Sequence, residues 1–373
     1  MKKILSLCLV LLFLSPVLFA DDAKTMPGKV GRLYLAPSMT FVPGQYDEKA
    51  KRSDYEAGTL KIFNLGFALE YGFNDWITGA AQWAPGITVA SDIKPALKEK
   101  GMDPKGDINT NGTADLFLGV KFQLISWTNE TPQKEKTVST HDNIRFSVAP
   151  GIKIPLGGPD FEEEAKNMGK DEDATFGSMD KHALAMGGRF YLDFMLSKNF
   201  FINLYNETIF YPVKQDLNKA GPEFYAIKGA IAPGMGPAAA TVMAAEGEID
   251  YKLDMTWEVE PNYTFHPGDG VSLAVGLPLK YTFSPPPEFS VETKLSGPAK
   301  AGVEKAIIDN LEAQFGKQNG THTLGLNPSA TAFFYKLPMP LEFKAQYNIP
   351  LWARSEKAKH TFALQIRAYF KIP

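Results

Sequence analysis

Apolar and polar residues alternate along most of this chain, with the period of two that is typical of a β-strand whose two faces meet different surroundings. In the segment 143–154, the even positions from Ile144 to Ile154 are apolar, whereas the odd positions include Arg145, Ser147 and Lys153. The segments 115–124, 249–259 and 361–370 repeat this alternation. The pattern therefore predicts long strands that have one apolar and one polar face.

Twelve runs of this kind are present, and most are longer than the strands of about 5–6 residues that are common in globular proteins. They cover residues 29–42, 59–73, 75–88, 113–127, 142–155, 183–197, 199–212, 248–264, 270–283, 321–336, 340–350 and 359–370. Short and long connections alternate between them, which is typical of outer-membrane barrels. We therefore predict an all-β fold, a transmembrane antiparallel up-and-down β-barrel of about 12 strands with partly helical extracellular loops. An even number of strands places both termini on the periplasmic side.

The polar faces of the predicted strands combine charged residues with Gly, Ala, Ser and Asn. Small inward residues suit the interior of a closed barrel, whereas the alternative, a soluble β-sandwich, would turn this face to bulk water. The predicted lumen carries both signs of charge, on Glu70, Asp115, Lys121, Arg145, Lys153, Arg189, Asp193, Glu207, Lys252, Asp254, Glu258, Glu260, Glu342, Lys344 and Arg367. Salt bridges that brace a narrow barrel and the lining of a polar conduit both explain these charges.

Two long connections have unusual patterns. The segment 229–245 is apolar and contains methionine, a side chain that adapts to ligands of varied shape. It is predicted to face a ligand through Ile231, Met235, Val242 and Met243, or to pack against neighbouring loops. In the segment 299–317, apolar residues recur every fourth position, which predicts an amphipathic helix. These apolar residues are Val303, Ile307, Leu311 and Phe315.

The first twenty residues have the features of a secretory leader. Lys2 and Lys3 precede an apolar run that ends at Ala20, so residues 1–20 are a predicted signal peptide and 21–373 the predicted barrel. The single cysteine, Cys8, lies in this leader, and the mature chain would therefore have no disulfide or thiolate metal site. A net charge of -3 argues against a nucleic-acid partner. No catalytic motif or metal-ligand spacing is present, so we expect no enzyme activity, cofactor or metal.

Two segments carry a resemblance to a known group of proteins. The run 67–76, FALEYGFNDW, resembles a hairpin found in many outer-membrane barrels, and the run 149–157, APGIKIPLG, resembles a strand end of the phenol meta-pathway and hydrophobic-compound transporters. These barrels are distant companions of the FadL fatty-acid channels. The resemblance implies passive uptake of hydrophobic or amphipathic small molecules, fatty-acid-like or aromatic, across the outer membrane of a diderm bacterium.

The chain also departs from the FadL pattern. FadL channels have fourteen strands and an N-terminal plug, whereas about nine residues, 21–29, precede the first predicted strand here. We expect this segment to be too short for such a plug. Asn327-Pro328-Ser329 is similar to the Asn-Pro-Ala of FadL, but it lies in a late strand, so no role is carried over.

The expected partners are outer-membrane lipid, the barrel-assembly machinery and a hydrophobic solute. Two other functions fit the pattern of residues. A lumen lined with both signs of charge suits a general porin for polar solutes. Long extracellular loops suit a surface adhesin or structural barrel whose lumen is closed.

Overall fold

The computed structural model describes residues 22–54, 59–89, 108–109, 111–127, 143–156, 174–175, 181, 183–197, 199–217, 222–315 and 320–372. The predicted signal peptide lies outside these residues. The strands are β1 (Val30–Val42), β2 (Gly44–Tyr46), β3 (Arg52–Asp54), β4 (Leu60–Asn74), β5 (Ile77–Val89), β6 (Ile108–Asn109), β7 (Asn111–Gly112), β8 (Leu116–Trp127), β9 (Asn143–Ile154), β10 (Ala174–Thr175), β11 (Ala185–Met195), β12 (Phe200–Phe210), β13 (Gln215–Asp216), β14 (Glu246–Asp250), β15 (Leu253–Gly268), β16 (Val271–Gly276), β17 (Leu279–Ser284), β18 (Glu288–Glu292), β19 (Thr321–Leu326), β20 (Ser329–Phe334), β21 (Leu341–Arg354), β22 (Glu356–Lys357) and β23 (His360–Lys371).

The long strands form one closed antiparallel barrel. Each pairs with its neighbours in the chain, and the ring closes where β1 pairs with β23. Counting β16 with β17 and β19 with β20 as one crossing each, the described residues make twelve crossings, which confirms the predicted barrel. Tight turns such as Asp75-Trp76 join the strands at one end, and most of the longer connections lie at the other. The exception is the connection between β8 and β9, which starts and ends at the end with the tight turns.

The ninth and tenth crossings are each broken in the middle, where the sequence predicts continuous strands over 270–283 and 321–336. The breaks are at Leu277-Pro278 and at Asn327-Pro328. Proline has no N–H to donate to a ladder, so a central strand is interrupted there. The wall stays hydrogen-bonded, because the Leu277 amide donates to the Pro261 carbonyl at 3.1 Å and the Asn327 amide to that of Pro278 at 2.8 Å.

The two faces of the barrel wall have opposite chemistry. Large apolar side chains point outward and are half exposed, for example Leu33 at 49%, Trp257 at 52% and Phe362 at 49%. Charged side chains point inward and are buried, for example Arg145 and Asp193. A soluble protein has the reverse arrangement, so this exterior is suited to lipid.

The predicted strand 248–264 is in fact two strands, β14 and β15, which belong to different sheets. The chain turns between them at Lys252, which has a positive φ of 63°. The alternation continues through this turn, so the sequence pattern alone does not reveal it. Ile249 and Tyr251, predicted to share the apolar face of a membrane strand, are instead buried among the long loops.

The described parts of those loops form a small domain above the barrel, which we call the cap (residues 215–217, 222–250 and 288–315). Its helices are α1 (Pro222–Ile231), a 3₁₀ helix (Ala232–Ala238), α2 (Ala239–Met243) and α3 (Pro298–Phe315). A sheet of β13, β14 and β18 completes it. None of the described helices is long and apolar enough to cross a membrane.

The predicted amphipathic helix is α3, and its apolar stripe forms part of the cap core. Ile307 and Leu311 are fully buried there, and Val303 is nearly so. The side chain of Phe315, the fourth predicted member of the stripe, lies outside the described side chains. The stripe therefore faces the other cap elements.

The apolar segment 229–245 lies in the same core. Val242 is completely buried, and Ile231, Met235 and Met243 pack against the buried cluster. The expectation that these four side chains face a ligand is therefore corrected in favour of the alternative, packing between loops. The physical reason is that α3 offers them an apolar partner, so that their burial stabilises the cap.

Replacing Ile307 by Ala should destabilise the cap by about 2–5 kcal/mol, the cost of removing a buried aliphatic side chain and leaving a cavity. The barrel should stay folded, because its ladders do not include α3. Hydrogen exchange of the cap amides in detergent-folded protein measures the first effect, and the heat-modifiable gel shift measures the second. Lys305→Ala, on the exposed face of the same helix, is the control. Unchanged exchange in Ile307→Ala would contradict the packing described above.

Candidate transport lumen

Charged pairs line the wall of the lumen near the end with the short turns. Arg32 on β1 binds Glu70 on β4, with its Nη2 2.5 Å and its Nε 3.0 Å from Oε2. The Tyr34 hydroxyl donates to the other oxygen of Glu70 at 3.0 Å. The Arg32 guanidinium also lies 4.7 Å from the centre of the Tyr34 ring. Two neighbouring strands are thus linked by a buried ion pair with additional hydrogen bonds, the arrangement that a low-dielectric interior requires.

A second pair continues this network around the ring. Arg367 on β23 binds Glu342 on β21, with Nη1 2.8 Å from Oε1. The Tyr369 hydroxyl donates to the other oxygen of Glu342, and it accepts a hydrogen bond from Arg32 at 3.4 Å. Arg367 also lies 4.9 Å from the centre of the Tyr34 ring. The result is one connected network across four adjacent strands.

A third pair lies on the other side of the lumen. Arg189 on β11 binds Glu207 on β12, and the Tyr205 hydroxyl donates to the same carboxylate at 2.9 Å. The guanidinium lies 4.0 Å from the centre of the Phe117 ring. Phe117 is therefore an inward aromatic residue on an otherwise polar face.

Near the end with the long loops, a cluster forms around Asp254 at the start of β15. Lys181 lies 2.8 Å from both carboxylate oxygens, and the hydroxyls of Tyr211 and Ser284 donate to them at 2.6 and 2.5 Å. The Lys181 ammonium also lies 4.4 Å from the centre of the Tyr211 ring. Tyr211 also belongs to the buried cluster that contains the cap residues, so this group lies where the barrel meets the cap.

The segment 22–29 enters the short-turn end of the barrel, contrary to the expectation that so few residues are too short for a plug. The Ala23 amide donates to both carboxylate oxygens of Asp193 at 3.0 Å, and the Ala23 carbonyl accepts from the Ser147 hydroxyl. The Met26 amide donates to Thr78 at 2.8 Å. Eight residues are enough because the barrel is narrow and the inward side chains meet the segment from several strands.

Two large spaces lie in the part of the lumen that the structure describes. The inner chamber is bounded by Lys24 and Met26 of this segment and by inward residues of β1, β4, β5, β8 and β11. The outer chamber lies toward the cap and is lined on the other side by β15, β17, β19 and β21. Ser38, Asn64 and Lys153 border both chambers.

The sequence-predicted lumen residues fall into three groups. The first group makes inward ion pairs, either within the group or with charged residues that were not predicted. Its members are Glu70, Arg145, Arg189, Asp193, Glu207, Asp254, Glu260, Glu342, Lys344 and Arg367. The second group borders a chamber and consists of Asp115, Lys121, Lys153 and Glu258.

Lys252 alone forms the third group, because it was predicted to face the lumen and does not. It lies at the turn between β14 and β15, where its ammonium is 2.7 Å from Asp250 and 2.9 Å from Glu288 of the cap sheet. The hydrogen bond from Lys252 holds the pKa of Asp250 below its ordinary value. Lys252 is therefore a partly exposed residue that binds the cap sheet from outside the lumen, because the turn takes it out of the strand on which its predicted orientation depended.

Sequence reasoning missed Arg32, Tyr34 and Lys181. The first two occupy alternate positions of the first predicted strand, so the period of two places both of them on its inward face. Lys181 lies just outside the predicted strand 183–197, and its partner Asp254 is far away in the chain. The described residues contain no group of three side chains that could hold a metal ion.

Comparison with known proteins finds no matching family model and no matching curated protein. Among solved structures, an outer membrane channel from Pseudomonas putida F1 aligns with a TM-score of 0.53 and 12% identity, over 95% of this chain and 100% of that one. The NanC porin aligns with a TM-score of 0.36 and 8% identity, over 91% and 100% of the two chains. The CymD monoaromatic hydrocarbon channel gives 0.34 and 10%, over 93% and 89%. The first likeness shows that this chain has the fold of an outer-membrane channel barrel.

Proposed function

We propose that this barrel carries hydrophobic or amphipathic small molecules passively through the outer membrane. The barrel-assembly machinery would insert it there, and it would act without catalysis. The observation that carries the proposal is that the inner chamber is bounded by side chains from both faces of the wall. Besides inward residues, its lining includes Phe67 and Trp83, whose side chains are 40% and 41% exposed on the lipid-facing surface.

The wall is irregular where these side chains meet the chamber. The register between β4 and β5 shifts between Leu65 and Phe67, because β5 contains one extra residue near Pro85. On the other side of β5, regular pairing with β8 ends at Gln82. A β-bulge of this kind leaves backbone unpaired and re-aims side chains. Gly66 and Ala84 line the chamber at this position, where the Ala84 carbonyl accepts a hydrogen bond from the Ala114 amide at 2.8 Å.

The position of the N-terminal segment favours this function over that of a general porin. A porin for polar solutes keeps a water-filled path from one end to the other. Here the segment 22–29 lies in the short-turn end of the lumen and is held there by Asp193, Ser147 and Thr78. A solute that reaches the inner chamber therefore meets this segment on one side and the irregular wall on another.

Replacing Gly66 by Leu should reduce uptake several-fold, because the new side chain would fill the chamber beside the irregular wall. The substitution is sterically possible, since a Cβ at Gly66 would lie 3.5 Å from its nearest neighbour. Uptake of a radiolabelled hydrophobic compound such as toluene by cells that express each variant is the measurement. Gly188→Leu, at an open position on the outward face of β11, is the control. Equal uptake by both variants and the wild type would rule out the proposed path.

Replacing Gly72 by Ala should displace the N-terminal segment, because a Cβ at Gly72 would lie 2.2 Å from the carbonyl oxygen of Pro27. We expect wild-type proteoliposomes to show little swelling in arabinose and Gly72→Ala proteoliposomes to swell faster. Gly86→Ala, on the neighbouring strand, is the control, since its Cβ would meet only Leu65 at 3.8 Å. Rapid swelling by the wild type would instead support the porin function.

A further inference from the structure

The inner and outer chambers meet at a few inward side chains. Ser38, Asn64 and Lys153 border both spaces, so they lie where one space passes into the other. Ser38 is opposite Asn64 in the pairing of β1 with β4, and Lys153 is opposite Phe117 in the pairing of β8 with β9. We call these four residues the neck. A solute that moves from the outer to the inner chamber therefore passes the neck.

A small pocket between the chambers places Phe117 at the same junction. This pocket shares Phe117 and Arg189 with the inner chamber, Glu207 and Ile209 with the outer chamber, and Lys153 with both. Phe117 is apolar and bulky, whereas the other three neck residues are polar. The neck thus has an aromatic ring on one side of the passage.

Two glycines give the Phe117 ring its place on the barrel wall. Gly119 and Gly151 form the inward pair of β8 and β9 that follows the pair of Phe117 with Lys153. A Cβ at Gly119 would lie 2.9 Å from two carbons of the ring, and a Cβ at Gly151 would lie closer still. The ring therefore occupies space that glycine leaves free by having no side chain.

The Arg189 guanidinium holds this ring in place. It lies 4.0 Å from the ring centre and is bound to Glu207, which also accepts a hydrogen bond from the Tyr205 hydroxyl at 2.9 Å. Its Nη1 and Nη2 each lie 3.4 Å from Oε1 of Gln82. Since β11, β9, β8 and β5 are consecutive strands, Arg189 on β11 and Gln82 on β5 form a bridge past the ring on β8. The ring is thus fixed by its neighbours on several strands.

We infer that Phe117 is a specificity-determining residue, because its fixed ring sets the width of the passage between the two chambers. A ring held by glycines and by a guanidinium narrows the passage by a constant amount, whereas a mobile side chain would move aside for each solute. This inference rests on the proposed uptake function and specifies which solutes it favours. Slender apolar molecules pass the neck, and broad molecules of the same composition are excluded.

Two isomeric hydrocarbons of different width test the inference: hexylbenzene, which is slender, and 1,3,5-triethylbenzene, which is broad. They have the same composition and similar apolar surface, so a difference in uptake reports mainly on shape. The measurement is uptake of each radiolabelled compound by cells that express the protein, after subtraction of uptake by cells that lack it. We expect the wild type to take up hexylbenzene several-fold faster than triethylbenzene.

Phe117→Ala should raise uptake of triethylbenzene several-fold and change that of hexylbenzene little, because the ring no longer narrows the neck. Asn64→Phe should lower uptake of triethylbenzene more than that of hexylbenzene, since it adds a ring on the other side. Leu118→Ala, which shortens an outward side chain of the same strand that is 38% exposed, is the control and should change neither rate. Heat-modifiable mobility establishes that each variant is folded. If Phe117→Ala does not fold, Asn64→Phe still decides.

Equal uptake of the two isomers by the wild type, or an unchanged ratio of the two rates in a folded neck variant, would overturn the inference and leave the uptake function standing. An equal loss of both rates in Phe117→Ala would also overturn it, because that result indicates a purely structural role for the ring. Uptake of neither isomer by the wild type would overturn both the inference and the proposed function.

Discussion

A chain that crosses a membrane must satisfy every backbone N–H and C=O group within itself, because the hydrocarbon interior offers no partner and each unpaired group costs several kcal/mol. In this protein the pairing of β1 with β23 meets that requirement by closing the ring. Closure removes both sheet edges, and it also gives each strand one face toward lipid and one toward an enclosed lumen. The exposed apolar exterior and the buried charges of the interior follow from this one constraint.

The charges that closure encloses must then find partners, and their pairing shapes the lumen. Three Arg–Glu pairs share tyrosine hydroxyls and aromatic faces, so most of the charge is neutralised across adjacent strands. The sequence left open whether these charges brace the barrel or line a conduit. In the structure each description fits some of the residues. The arginines brace the wall, and Lys121 and Lys153 line the open space of the inner chamber.

Three of the irregular parts of the wall lie at proline residues. Pro278 and Pro328 each interrupt a crossing, yet neighbouring carbonyl and amide groups keep those strands joined. Near Pro85 the register shifts on one side of β5. On the other side, pairing passes from β8 to β7, and the Ala114 amide donates to the Ala84 carbonyl between them. The apolar residues of the cap pack into a buried core that also includes Ala185 of β11 and Ile209 of β12.

The sequence by itself determined the number of crossings, their faces and most of the lumen charges, because a period of two records directly which side chains face lipid. It also determined the apolar stripe of α3, through spacing along a single helix. Only the tertiary structure decided which charges meet, as Lys181 and Asp254 show, since their separation in the chain carries no signal. It alone decided that Val242 is buried in the cap and that the residues before β1 enter the barrel. Both outcomes depend on surfaces contributed by distant segments, and a local pattern contains no information about them.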